Sequence, residues 1–549
     1  MSTRNRLAVA CVLMCAWAGV ISASGLQANV SEDGQVTLSA DGLLGLQVAR
    51  KPPAIGAFVM QGDDGLVRVK SEGDPAPTFD AASSTWQAAA SWGTVRMTVK
   101  PATGGLDLVV EITAADGQMV DRLSGNLLWL SSETAPKGKG GTVTGIDEPT
   151  VSVLDLEAGK LAVLRTDTGV PVKFGLRAND KPDANGRTGV VLEVDTDVNE
   201  DRDQPPVLTA DKPLTVSLRL TAAGPDAGLR DVAPQQVADF LKANPFTMNW
   251  PDRRPIGRVF MASTAAQHKS PTNPRGWFNN PKIDITTAQG LDEFNRQLLT
   301  RAENIIRICR KYDAQGAIIW DIEGGEFPHA TTFVGDPRRL PDFAPEMDQY
   351  ADGFFKAIRD GGLRVGVCIR PSILHLDVDP DTGERKARHG NMGFDMGQNI
   401  IDKIAYCKKR WGVSMFYMDT NVEWYWNRKG KPEARLLPTA MMRRITEAHP
   451  DVLIIPEFMR PAYYGMVGGY GELRSHGFGN VTGTPDWIRD LYPNAMRVVV
   501  LEGGDIEGKR DILVRNIARG DVLFLDAWWD PKHNQHVADL YQAAASPQD

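Results

Sequence analysis

From residue 246 to the C-terminus, short apolar runs alternate with amphipathic segments of helical period, and few folds accept that order. The runs are Gly257–Ala262, Ala317–Ile322, Arg364–Arg370, Met415–Asp419, Val452–Glu457, Arg497–Glu502 and Val522–Asp526. Each is nearly continuous in apolar character, the pattern of a strand buried on both faces. Between most of them lie helical segments such as "LDEFNRQLLTRAENIIRICRKY", "PEMDQYADGFFKAIRDGG" and "MGQNIIDKIAYCKKRWG", whose apolar residues recur at helical spacing. The segment "YYGMVGGYGELRSHGF" holds an eighth strand between the fifth and sixth of these runs. Eight βα units in about 290 residues is the size of a closed (β/α)8 TIM barrel. A doubly wound open sheet would use the same grammar, but no glycine-rich phosphate loop follows any run.

The grammar before residue 246 is different. "VRMTVKP", "LDLVVEIT", "LAVLRTD", "VVLEVDT" and "LTVSLRLT" are short, rich in Val, Leu and Thr, and separated by Gly, Asp and Pro turns. Helical periodicity is almost absent. An all-β sandwich is expected over 29–245, ahead of the barrel at 246–549. At 549 residues the chain is too long for one core, so two domains suit its size.

The first 28 residues read as a signal peptide. Arg4 and Arg6 precede the apolar run "LAVACVLMCAWAGVI", and the small residues of "SASGLQA" follow, with cleavage expected near Ala23 or Ala28. An uncleaved anchor is the alternative. Cys15 does not suggest lipid attachment, because Met14 is too large for the small-residue site that would precede it. An exported protein, periplasmic or extracellular, is expected. Three cysteines then remain, Cys309, Cys368 and Cys407. Far apart and in no CxxC pair, they suit buried apolar positions better than disulfides or a metal. The net charge of −8 argues against nucleic acid or anionic lipid as partner, since both call for basic patches.

A barrel carries its active site at the C-terminal ends of its strands, and here those ends collect acids. "WDIEGGE" supplies Asp321, Glu323 and Glu326, "FYMDTN" supplies Asp419 and Asn421, and "LIIPEF" supplies Glu457. "VVVLEGGD" adds Glu502 and Asp505, "FLDAWWD" adds Asp526, and "VCIRPS" places Arg370 among them. Cleaving an acetal requires one carboxylic acid to protonate the leaving oxygen and one carboxylate to attack or to activate water. Further carboxylates and an arginine can hold sugar hydroxyls. Trp320, Trp424, Trp426, Trp528 and Trp529 offer apolar faces for sugar rings. A carbohydrate is therefore the expected substrate and glycoside hydrolysis the expected reaction.

The sequence is similar to the α-glycosidases whose catalytic (β/α)8 barrel follows an N-terminal β-sandwich, the α-galactosidase and α-glucosidase clan. "FYMDTN", "WDIEGGE" and the unit "FFKAIRDGGLRVGVCIRP" carry the likeness. It implies an α-linked substrate, Asp419 as nucleophile, and Trp320, Asp321 and Glu323 as binding residues. That clan places its acid/base Asp after the sixth strand, where this chain has Asp486 in "TGTPDWIRD", with Arg474 upstream. The α-amylase clan instead pairs an Asp on the fourth strand with a Glu on the fifth, matching Asp419 and Glu457. Glu457 is the expected acid/base, since its strand is the more clearly defined. Arg370, Asn421, Trp424, Arg474, Asp486 and Glu502 join the expected binding residues.

Two other functions use the same residue types. A metal-dependent barrel hydrolase would set carboxylates on three neighbouring strands, but the third strand ends in Arg370, and the histidines are scattered apart from "HNQH". A carbohydrate-binding barrel without activity would keep the rim and lose the reaction. No cofactor is expected, and "DIEGGE" is the place where a structural Ca²⁺ would find oxygen ligands.

Overall fold

The structure is a computed structural model. It describes residues 26–32, 36–40, 43–48, 55–60, 66–69, 78–132, 144–145, 151–156, 159–167, 173–179, 188–195, 208–263, 265–324, 335–378, 380–381, 385–426, 432–473, 481–501, 506 and 508–546. Residues 1–25 of the expected 1–28 signal peptide lie outside the described residues, as do Glu326, Arg474, Glu502 and Asp505.

The N-terminal half is two antiparallel sheets packed face to face. One runs Gln27–Val30, Val36–Ala40, Leu43–Val48, Met119–Ser132, Thr188–Asp195, Lys173–Asn179, with Ile55–Met60 paired to Met119–Ser132 and Leu66–Val69 paired in turn to Ile55–Met60. The other runs Thr144–Gly145, Val151–Leu156, Gly159–Arg165, Leu214–Ala223, Gly105–Ala114, Gly93–Ala102, Thr85–Ala90, Thr78–Asp80. Side chains alternate between faces along a strand. Val95, Val99, Leu106, Leu108 and Val110 of the second sheet thereby meet Phe174, Leu176, Val190 and Leu192 of the first in one buried core. Leu26 belongs to that core and Gln27–Val30 pairs with Val36–Ala40. Cleavage after Ala28 would cut through this first strand, whereas cleavage after Ala23 would spare it.

The C-terminal half is the barrel. Its parallel strands are β1 (Ile256–Phe260), β2 (Gly316–Trp320), β3 (Arg364–Ile369), β4 (Met415–Met418), β5 (Leu453–Pro456), β6 (Gly469–Glu472), β7 (Arg497–Val500) and β8 (Val522–Asp526), bonded in the order β5-β4-β3-β2-β1-β8-β7-β6. The seam between β5 and β6 is closed by the Gly468 N–H, which donates to the Ile454 carbonyl at 3.0 Å. A Cβ on Gly468 would lie 2.9 Å from Met496 Cε and 3.1 Å from Leu453 Cδ1, so glycine permits this close approach.

Helices α1 (Ala288–Lys311), α2 (Pro345–Asp360), α3 (Met396–Trp411), α4 (Thr439–Ala448), α5 (Asp486–Leu491), α6 (Arg510–Ala518) and α7 (Lys532–Ala545) cover the sheet. They follow β1, β2, β3, β4, β6, β7 and β8. The expectation of eight complete βα units is corrected at the fifth. Only a 3₁₀ turn, Pro461–Gly465, joins β5 to β6, because Pro461 and Gly465 bound a run too short for several helical turns.

The place is filled from the other half of the chain. The linker helix Pro234–Ala243 buries Val237 and Phe240 against Ala462, Tyr464, Leu491 and Tyr492. Its C-terminal end is bonded on both sides: Arg443 Nη2 of α4 donates to the Ala243 carbonyl at 3.0 Å, and Tyr492 Oη donates to the Asn244 carbonyl at 2.6 Å. This apolar contact fixes the β-sandwich to the barrel wall.

Candidate active site

The period-2 alternation of the barrel strands decides which side chains face the mouth. Ile318, Cys368, Met415, Tyr417, Leu453, Ile455, Tyr470, Val498 and Phe524 point inward and fill the barrel. Phe416, Met418, Ile369 and Ile454 point outward under the helices. Continuing the inward phase by two residues at each strand end reaches Arg370, Asp419, Glu457 and Glu472. Met418 pairs with Pro456 in the β4–β5 ladder, and Glu457 N–H donates to the Met418 carbonyl at 3.2 Å. Asp419 and Glu457 therefore stand opposite each other, one residue beyond the last paired position.

Their environments are unequal. Asp419 is buried, with Arg370 Nη2 3.4 Å from its Oδ1 and the Thr420 hydroxyl donating to Oδ1 at 3.1 Å. Burial raises its pKa, and Arg370 and Thr420 oppose the rise. Glu457 is half-buried. Desolvation first, then the charge of Asp419, pushes its pKa up to about 7. The result is a carboxylic acid that keeps its proton near neutral pH, beside a carboxylate supported by a cation. Environments that separate two neighbouring acids in this way are the mark of assigned acid and base roles.

Asp321 extends the cluster by breaking the alternation. Its φ is +60°, a left-handed conformation that is costly for a non-glycine residue and recurs at functional sites. The residue is 1% exposed. Neither carboxylate oxygen has a hydrogen-bond partner of ordinary geometry. Its pKa is raised well above the carboxylate range by burial, then by the charges of Glu323 and Asp419.

Glu323 lies further back. Burial is the main cause that lifts its pKa to about 7, and its charged neighbours are Asp336 and Lys403. Lys403 is fully buried and donates to the Arg370 and Ser372 carbonyls at 2.7 and 2.6 Å, with Asp336 at 3.5 Å. This buried pair holds the end of β3, and with it the backbone that presents Arg370.

Several expected binding residues have other work. Trp320 is 5% exposed and packs against Phe260, Tyr417 and Phe524; it floors the mouth and is no platform for a sugar ring. Asn421 is fully buried, its Nδ2 donating to the Phe458 carbonyl at 2.9 Å and its Oδ1 accepting from the Phe458 N–H at 2.7 Å. Both ends of the amide are spent clamping β4 to β5. Asp526 is held by Arg258 at 2.6 Å and His533 at 2.8 Å.

Asp486 is displaced from the rim altogether. Its side chain is 70% exposed and pairs with Arg519, which precedes β8. On either side of it, Thr484 N–H and Arg489 bind Asp521 at 2.8 and 2.9 Å, at the start of β8. These partners mark the N-terminal end of the barrel, opposite the mouth.

Trp424, 39% exposed, stands on the hairpin Val422–Trp426/Pro432–Leu436 that rises from β4, and Trp529, 50% exposed, follows β8. Sequence reasoning missed Glu472, although it lies within the stretch expected to hold the extra strand. It is buried and accepts from the Tyr470 hydroxyl. The i, i+2 spacing of Tyr470 and Glu472 was the available signal. Thr420, whose hydroxyl donates to Asp419 Oδ1, was also missed. Among the described residues, no group of three or more His, Cys, Asp or Glu is arranged to hold a metal ion.

Arg370→Lys keeps the charge and loses the planar fork. The expected result is a lower kcat/KM with its acidic limb moved to higher pH, as Asp419 loses part of its cationic support. Unchanged kcat, KM and pH profile would remove Arg370 from the site.

An acid-lined mouth on a (β/α)8 barrel that follows a β-sandwich describes the molecule as a class. No family model matches the sequence, and no curated protein matches it. Among solved structures, it is similar to a GH36 α-galactosidase variant from Geobacillus stearothermophilus in complex with stachyose, at 12% identity and a TM-score of 0.34 over 95% of this chain and 75% of that one. It is also similar to the α-galactosidase of Thermus thermophilus in complex with stachyose, at 11% identity and a TM-score of 0.35 over 80% and 98% of the two chains. The cycloalternan-degrading enzyme from Trueperella pyogenes matches at 10% identity and a TM-score of 0.36 over 93% and 80%.

Proposed function

We propose that the chain is an exported glycoside hydrolase that cleaves an α-linked oligo- or polysaccharide with retention of configuration. One observation carries this: Asp419 and Glu457 stand in register at the mouth, one beside Arg370 and the other held protonated to about pH 7. Asp419 attacks the anomeric carbon while Glu457 protonates the departing oxygen. Glu457, now ionised, then takes a proton from the water that hydrolyses the glycosyl ester. Arg370 holds a sugar hydroxyl through a charge-assisted hydrogen bond, and Trp424 offers its exposed face to a neighbouring ring. Export rests on the N-terminal segment; no helix among the described residues is long and apolar enough to cross a membrane. The mass of the mature N-terminus after expression in a secreting host checks it.

The test is a panel of aryl glycosides and polysaccharides, assayed for both hydrolysis and binding. Hydrolysis supports the assignment, whereas binding without turnover makes this a carbohydrate-binding barrel. The pH dependence has a definite sign. Glu457 must be protonated to act as acid, and its pKa is raised to about 7. Activity is therefore expected to fall on the alkaline side with a midpoint near 7, and Glu457→Gln should abolish that limb. An alkaline limb lying well above pH 8 would assign the acid to another group.

A further inference from the structure

Three successive carbonyls at the exit of β3, those of Arg370, Pro371 and Ser372, are taken by two side chains of α3. Lys403 Nζ donates to the Arg370 and Ser372 carbonyls at 2.7 and 2.6 Å, and Asn399 Nδ2 donates to the Pro371 carbonyl at 2.7 Å. The two residues stand one helical turn apart and share a face. Lys403 also reaches the Gly335 carbonyl at 3.3 Å, and that carbonyl accepts from the Arg370 N–H at 2.8 Å. Both polar groups of the Arg370 backbone are therefore bonded. Gly335 closes on the side chain as well: a Cβ there would lie 2.5 Å from Arg370 Cγ and 2.8 Å from Arg370 Cβ, and its φ is +72°. Glycine takes that place without moving the arginine stem.

This cradle is itself fixed. Asp336 accepts from Arg338 at 2.8 and 2.9 Å, Arg338 donates to Asn399 Oδ1 at 2.7 Å, and Lys403 stands 3.5 Å from Asp336. On the other side, the Asp419 N–H donates to the Ile369 carbonyl at 3.0 Å. The backbone that carries Arg370 is thus tied directly to the backbone that carries Asp419. Arg370 is a long side chain, partly exposed at the mouth, and without restraint it would turn to water among many rotamers. We propose that Lys403, Asn399 and Gly335 are positioning residues that hold the Arg370 guanidinium against the Asp419 carboxylate. This rests on the glycosidase assignment.

Asp419 must be ionised to attack, and the Arg370 cation favours that form. A guanidinium that wanders leaves Asp419 easier to protonate, so the nucleophile is lost at a higher pH. The other titratable groups facing Asp419 are Glu457 on β5, Asp321 on β2, and Cys368 and Tyr417 inside the barrel. Those facing Lys403 are Asp336, Arg338 and Glu323. Burial lowers the Lys403 pKa to about 8, so its ammonium is charged across the acidic limb. That charge is a second route to Asp419, and the experiment separates it from the route through Arg370.

The experiment is a double-mutant cycle of Lys403→Met and Arg370→Met, read as the pH profile of kcat/KM on an aryl glycoside. The Asp419 carboxyl is titrated in parallel by ¹³C NMR, its signal identified by its loss in Asp419→Asn. Lys403→Met is expected to lower kcat/KM by about 10- to 100-fold. It should also move the acidic limb and the Asp419 midpoint up by about half to one pH unit. In the Arg370→Met background the same substitution should cost less than about threefold and leave both midpoints in place, since no guanidinium is left to position. Asp336 keeps Arg338 in the variant, so no buried carboxylate is left unpaired. If Lys403→Met does not fold, Gly335→Ala carries the same expectation, because its Cβ displaces the Arg370 stem and removes no charge.

Equal effects in the two backgrounds overturn the proposal and make Lys403 a charge acting on its own. A lower melting temperature with kcat/KM and both midpoints unmoved also overturns it and leaves the cradle purely structural. The carboxyl titration separates these outcomes from failure of the glycosidase assignment. An Asp419 midpoint that responds to Lys403 only when Arg370 is present, in a protein that cleaves no glycoside, keeps the positioning and discards the assignment. Cleavage with an unmoved Asp419 midpoint does the reverse.

Discussion

Asp419→Asn is expected to lower kcat by at least about 10³-fold on every glycoside the wild-type chain cleaves, a loss of about 4 kcal/mol of transition-state stabilisation. The amide keeps the shape of the side chain and cannot attack the anomeric carbon or support its positive charge. Folding is expected to survive. Burial already disfavours the ionised form of Asp419, so removing the charge relieves a cost. Arg370, partly exposed at the mouth, can turn to water. Circular dichroism and thermal melts against wild type check the fold, and a folded variant of near-normal activity would take Asp419 out of the mechanism.

Glu457→Ala is expected to cut hydrolysis of a glycoside with a natural, basic leaving group by about 10²–10⁴-fold, and to do less to an aryl glycoside whose leaving group needs no proton. Azide needs no general base to attack the glycosyl ester, so it should restore turnover and yield a glycosyl azide of retained configuration. Asp486→Ala is expected to behave as wild type, because Asp486 is exposed and paired with Arg519 at the far end of the barrel. Azide rescue of Asp486→Ala without rescue of Glu457→Ala would reverse the assignment of the acid. Inversion of configuration in the wild-type product would overturn the two-step mechanism itself, since an inverting site keeps its carboxyls about 6.5–9.5 Å apart to admit water.

Strand-end acids were legible because two rules act locally. Burial on both faces makes a barrel strand apolar throughout, and a carboxylate that ends such a run stands at the rim. Asp321, Asp419, Glu457 and Arg370 were found in that way. The same rule gave Asn421 and Trp320 the wrong task. Asn421 lies two residues past Asp419, and nothing in "DTN" says that its amide closes on the Phe458 backbone. Trp320 ends its strand facing inward, where the rings of Tyr417 and Phe524 meet it.

Asp486 shows the limit of counting along the chain. Its distance after β6 would suit either end of the barrel, and the ties of Thr484 and Arg489 to Asp521 draw it to the N-terminal end. The missing helix after β5 is a further case. The length of that linker is written in the sequence, but its replacement by Pro234–Ala243 is a contact between segments more than 200 residues apart.

Periodicity and strand-end chemistry depend only on near neighbours, so the two architectures, their order, and the strand ends at which acids gather can be read along the chain. Which of those acids share a mouth, which are paired with Arg258, His533 or Arg519, and how burial and the Asp419 charge raise Glu457 to about 7 follow only from the tertiary fold. Electrostatic coupling and desolvation depend on distances in space, and β-strand closure brings together residues that the chain keeps far apart.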